Sequence, residues 1–139
     1  MQETVNVLLS LATNYDHEAH LSEVRKRLGQ VLSGMVFTES CMTTALDAEG
    51  RPHPERRPYL NQIVMATTTM DYDELNQWLK TTEAAMGRNG QKRARGMVPI
   101  DIDILLYDGF RHHEADWERS YIKDLLRKSG IIPATKTDL

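Results

Sequence analysis

At 139 residues, with 40% hydrophobic and 27% charged side chains, the chain fits a single soluble domain over residues 1–139, long enough to bury a core. A net charge of −3 removes the global attraction expected of a nucleic-acid or membrane-surface binder, and positive charge is local instead, between Arg88 and Arg95. The single cysteine, Cys41, excludes an intrachain disulfide. No basic start and unbroken apolar run of a signal peptide occurs in residues 1–20, and no stretch has the length of a membrane span, so a cytoplasmic protein is expected.

Val5 to Leu11 is a short apolar run that predicts a buried strand, followed by turn formers from Ala12 to Asp16. From His17 to Leu32, Leu21, Val24, Leu28, Val31 and Leu32 recur at helical spacing, with Arg25, Lys26 and Arg27 mainly on the wet side. Gly34 is expected to end that helix, and Met35 to Met42 reads as a strand. Thr43 to Pro58 is rich in Pro, Gly and charge. A connection of about fifteen structureless residues is uncommon in a compact domain and often functional, so it is a candidate lid, the alternative being a passive solvated excursion.

Tyr59 to Thr69 returns to strand character through Ile63, Val64 and Met65. Asp71 with Glu74 three residues on predicts a capping box, Tyr72, Leu75, Trp78, Leu79 and Met86 mark one helical face, and Gly87 stops the helix. Arg88, Lys92, Arg93 and Arg95 then lie among Gly87, Gly90 and Gly96, a flexible basic segment suited to phosphate oxygens. In the next strand Ile100, Ile102, Ile104 and Leu106 are expected to face a core. Asp101 and Asp103 share the opposite face, their Cα atoms about 6.6 Å apart at strand rise. Carboxylates that close repel unless a cation intervenes, and Mg²⁺ is held by one or two carboxylates with phosphates, so the pair is a candidate metal site.

Asp108-Gly109 signals a turn, His112 and His113 are expected to diverge as surface residues, and Trp117, Tyr121, Leu125 and Leu126 predict a last helix ending at Gly130. The tail from Ile131 is expected to fray. The order of elements predicts an α+β, ferredoxin-like βαββαβ sandwich: an antiparallel sheet with helices on one face, plus an added C-terminal helix.

With that order and the run Pro99-Ile-Asp101-Ile-Asp103-Ile-Leu-Leu, the chain resembles 6-hydroxymethyl-7,8-dihydropterin pyrophosphokinase of folate biosynthesis, from about Val5 to Leu126. The resemblance implies use of ATP and two Mg²⁺ ions to move a diphosphoryl group onto a reduced pterin; a monomer is expected, with neither nucleic acid nor membrane as partner. Asp101 and Asp103 match the metal-bridging aspartates. Asn61, with Tyr59 beside it, matches the pterin-binding asparagine. Glu83 and Arg88 fit the E-x-x-x-G-R stretch, Arg88 with a catalytic role, and Arg119 and Tyr121 fit R-x-F, Tyr121 replacing the phenylalanine that stacks on pterin. Glu83, Arg88, Lys92, Arg95 and Arg119 are thus the expected ATP contacts. Thr13-Asn14 stands where the family has a Gly-Ser-Asn turn. Two departures stand out: Gly96-Met97-Val98 replaces Gly-Pro-Arg, removing a nucleotide-contacting arginine, and the histidine before R-x-F is absent, with Trp117 nearby. The lost arginine motivates a non-catalytic pterin or nucleotide binder as the alternative. An RNA-binding sheet is disfavoured by negative charge and by strands without paired aromatics.

Overall fold

The structure is a computed structural model that describes residues 3–131, 133, 135 and 136. In chain order it contains β1 (Val5–Thr13), α1 (His17–Leu28), β2 (Ser33–Phe37), β3 (Cys41–Thr43), β4 (Tyr59–Thr68), α2 (Tyr72–Ala85), α3 (Gly90–Ala94), β5 (Asp101–Tyr107), β6 (Phe110–Arg111), α4 (Glu114–Trp117) and α5 (Ser120–Ser129). The sheet runs β2-β4-β1-β5-β6, with β3 pairing the start of β4, and its neighbours are antiparallel. Strands β1, β2, β4 and β5 with α1 and α2 form the ferredoxin-like sandwich.

Alternation along β1 divides the core into two layers. Val7, Leu9 and Leu11 pack with Leu21, Val24 and Leu28 of α1, Leu75 and Leu79 of α2, and Ile100, Ile102 and Ile104. On the opposite face Leu8 packs with Ile63, Leu105 and Leu106, covered by Trp117, Ile122, Leu125 and Leu126. The added C-terminal helix therefore lies on the face that α1 and α2 leave open, and it covers only part of it. What stays uncovered forms a cleft.

Four elements differ from the expectations. The helix from His17 stops at Leu28, where Gly29 caps it and Leu32 returns its N–H to the Leu28 carbonyl; Gly34, at φ 60°, lies inside β2 instead. The run Met35–Met42 divides into β2 and β3, because the Thr38 hydroxyl accepts the Ile63 N–H and breaks the ladder. Leu106 leaves the isoleucine face. The β1–β5 register pairs Leu8 with Leu106 but Leu9 with Ile104, so a bulge at Leu105 turns both leucines to the second layer. The last helix is broken at Glu118–Arg119 into α4 and α5. The 43–58 connection is also not structureless: Asp47 Oδ1 accepts the N–H groups of Glu49 and Arg51, and Leu46 bridges Pro52. The expected fraying of the tail falls mostly outside the described residues.

The capping box before α2 is present, Asp71 accepting the Glu74 N–H at 2.8 Å while Glu74 accepts the Asp71 N–H at 3.2 Å. Asp71→Ala leaves that amide without its side-chain partner and is expected to lower stability by about 1 kcal/mol in urea unfolding. An unchanged urea midpoint would refute this.

Candidate active site

The cleft follows from register. Ala12 of β1 pairs with Asn61 on one side and Asp101 on the other, and Ser10 pairs with Ile63 and Asp103. Two small side chains thus form a floor, with Asn61 and Asp101 facing across it at two strand spacings, about 10 Å. Thr43, Thr44, Ala45, Leu46 and Asp47 wall one side; Asp116, Arg119, Ser120 and Tyr121 wall another. The cleft, open to solvent, has a volume of about 560 Å³.

Asn61 is 4% exposed, and its amide nitrogen donates to the Thr43 hydroxyl at 2.8 Å and to the Cys41 carbonyl at 3.1 Å. Those bonds fix the amide so that its oxygen remains as an acceptor for the cleft. Tyr59 and Tyr121 also line it. Burial pushes both phenols above their ordinary range, and the Asp101 charge adds to the effect on Tyr59.

Behind the cleft stands an ion network. Arg88 Nη1 donates to Asp101 Oδ1 at 2.9 Å and to Glu83 Oε2 at 3.0 Å, and Glu83 Oε2 accepts the Ile102 N–H at 2.8 Å. Burial works against the charge on Arg88, but Asp101 and Glu83 outweigh it and raise its pKa. Glu83 is 4% exposed. Its oxygens are engaged by protein donors, so it faces Arg88 and the β5 backbone where nucleotide contact was expected. Lys92 folds back over Gly87, its Nζ 2.6 Å from where a Cβ would stand, and Arg95 is exposed; neither lines the cleft. The basic segment is also less flexible than its glycines suggest: Asn89 caps the short helix α3, accepting the Lys92 N–H at 2.8 Å.

Asp103 is the strained member of the aspartate pair. Burial first, and the neighbouring Asp101 charge second, push its pKa up to about 6. His113 Nε2 lies 3.8 Å from Asp103 Oδ1, and one ligand atom each of Asp103, His113 and Asp116 lie within 4.8 Å of one another. His112 and His113 diverge as expected, His112 stacking on Tyr72 at 4.4 Å. His113, however, is turned to the aspartates by a left-handed backbone at φ 54°. It is a histidine ahead of Arg119-x-Tyr121, so that the one expected to be missing has a counterpart, and Trp117 is instead buried, its Nε1 donating to the Leu105 and His112 carbonyls. Asp116 was not singled out in the sequence, where nothing marks it until the break between α4 and α5 turns it inward.

The donor chemistry fits Mg²⁺. Asp101 and Asp103 offer hard oxygens on one strand face, and an aspartate raised to about 6 is a carboxylate short of positive charge. Of the charged side chains lining the cleft, four are aspartates and one is Arg119. Such a cleft is net negative, so an anion entering it requires accompanying cations.

A family model described as 7,8-dihydro-6-hydroxymethylpterin-pyrophosphokinase (HPPK) matches residues 8–136. The chain belongs to the HPPK family. Curated relatives agree. A folate synthesis bifunctional protein of Chlamydia trachomatis is 33% identical over 77% of this chain and 24% of its own length. One of Arabidopsis thaliana is 26% identical over 84% of the chain and 25% of its length. A mitochondrial one of Pisum sativum is 39% identical over 46% of the chain and 14% of its length. The chain thus spans a quarter or less of the curated relatives it matches. Among the described residues, no helix is long and apolar enough to cross a membrane.

Proposed function

We propose that this HPPK-family chain transfers the β,γ-diphosphoryl group of ATP to the hydroxymethyl group of 6-hydroxymethyl-7,8-dihydropterin, releasing AMP. The observation that carries this reading is the single cleft in which Asn61 and Tyr121 face Asp101 and Asp103. Tyr121 stacks on the pterin ring, Asn61 Oδ1 accepts a ring N–H, and Tyr59 closes the edge beside it. That pose directs the hydroxymethyl arm along the Ala12–Ser10 floor toward the aspartates.

The hydroxyl oxygen attacks Pβ, the bond from Pβ to the oxygen on Pα breaks, AMP carries that oxygen away, and the hydroxyl proton is released. Two Mg²⁺ ions held by Asp101 and Asp103 would neutralise the phosphate oxygens and favour this in-line geometry. Arg88 is the proposed catalytic cation; it orients Asp101 and reaches the phosphates when the basic segment closes, with Glu83 holding it from behind. Arg119 grips the nucleotide from the opposite wall, while Lys92 and Arg95 come to the phosphates by closure of the segment between Gly87 and Met97. Closure excludes water that would otherwise take the diphosphoryl group. The contacts proposed here all come from one chain, and a monomer is part of the proposal.

Incubation with ATP, Mg²⁺ and the pterin tests the reading: AMP is expected only when the pterin is present. Val98, standing where the family has its arginine, favours the second reading of a binder without turnover, and pterin saturation with no AMP would select it. Tyr121→Leu is expected to raise the pterin KM about tenfold through lost stacking, with Tyr121→Phe near wild type. Equal pterin KM in Tyr121→Leu and wild type would remove Tyr121 from the pocket.

A further inference from the structure

We infer that Asn14 is a positioning residue that sets the nucleotide-binding segment against the β1 end of the cleft, by replacing the strand pairing that Pro99 interrupts. The β1–β5 register pairs Ala12 with Asp101, and extending it by two residues sets Asn14 opposite Pro99. Proline has no N–H, so the ladder cannot continue there. Asn14 supplies three bonds beyond the gap. Its backbone N–H donates to the Val98 carbonyl at 3.1 Å, its Oδ1 accepts the Val98 N–H at 2.7 Å, and its Nδ2 donates to the Gly96 carbonyl at 2.8 Å. The side-chain amide thereby acts as one more peptide unit of β1.

These contacts join residues more than 80 positions apart, and Asn14 is 4% exposed, so water does not substitute for them. They matter because of what they bound. The basic segment is fixed at its start by Arg88 on Asp101 and Glu83, and at its end by Asn14 on Gly96 and Val98. Between the two anchors, Lys92, Arg93 and Arg95 make no ion pair with an acidic side chain among the described residues. Val98 contributes its backbone, not its side chain, to this arrangement. The position where the family has an arginine therefore serves here as an attachment point, and Asn14 decides where the cations N-terminal to it can go.

The inference rests on the nucleotide-binding role proposed for that segment, and its test separates the two. Affinities of wild type and Asn14→Ala are measured by calorimetry for the pterin and, with Mg²⁺, for an ATP analogue carrying a methylene bridge between Pα and Pβ. Hydrogen exchange at the Val98 amide is followed in both. Asn14→Ala is expected to bind the analogue about tenfold more weakly and the pterin unchanged, with faster Val98 exchange. Unchanged analogue affinity, or an equal fall for both ligands, overturns the inference. Asn14→Ser, which removes less packing and keeps one hydrogen-bonding atom, carries the same comparison if the alanine variant does not fold. A wild-type chain that binds the analogue but forms no AMP fails the reaction while the comparison stands; one that does not bind the analogue overturns both.

Discussion

Asp101→Ala is expected to cut pterin-dependent AMP formation on the order of a thousandfold while leaving the domain folded. The carboxylate lies at the first residue of β5, where its side chain is 36% exposed, so its removal opens no core cavity. What it removes is chemical. Asp101 is half of the only pair of carboxylates that β5 presents to the cleft floor, and it is the group that holds Arg88 forward at 2.9 Å. With Asp47, Asp103, Asp116 and a triphosphate left facing Arg119, one hard ligand for the compensating cation is gone. The loss is expected in kcat at saturating Mg²⁺, with the pterin KM unchanged because Asn61 and Tyr121 are untouched. Steady-state AMP assays across a Mg²⁺ titration measure it; activity near wild type at any Mg²⁺ concentration would place the metal elsewhere.

The fold was legible where a local pattern coincides with a tertiary boundary. The alternation of Ile100, Ile102 and Ile104 with Asp101 and Asp103 states which face of β5 is dry, and Asp71 with Glu74 marks a helix start by chemistry confined to one turn. The bulge at Leu105 was not legible, because Leu105 and Leu106 are equally apolar and only pairing with β1 distinguishes them. The cleft floor is a similar case. Ser10 and Ala12 carry no chemical signal, yet their smallness leaves open the space that strand pairing puts between Asn61 and Asp101. The basic residues are the reverse case. Clustered charge between Arg88 and Arg95 suits phosphate oxygens but carries no direction, and direction depends on the Asn89 cap, the Lys92 fold over Gly87 and the attachment at Asn14. His113 was hidden for a third reason: adjacent histidines diverge, and the left-handed backbone that turns His113 toward Asp103 is not encoded by its residue type.

Asp103→Asn is expected to stabilise the metal-free chain by about 2 kcal/mol at neutral pH while removing activity. The ordinary aspartate value is 3.8, and burial together with the Asp101 charge raises it to about 6 in the folded protein. The folded state therefore binds this proton more tightly than the unfolded state does. Stability from that difference is fully present below about pH 4 and is lost as pH rises through about 6, where the partly buried side chain, 22% exposed, must ionise beside Asp101. Asparagine keeps the shape and never ionises, so its advantage over wild type is expected to be small at low pH and to open between about pH 4 and pH 6.5. Urea midpoints in EDTA across this range measure the gap. Saturating Mg²⁺ narrows it from the wild-type side, by supplying the charge that Asp103 lacks. A gap independent of pH would mean that Asp103 is not the strained group, and a less stable asparagine variant would mean that its ionised form is already satisfied by His113 within the protein. The residue expected to cost the metal-free chain stability is thus the one expected to gain most from a cation: the burial and the repulsion that detract from folding are what the proposed divalent metal would offset.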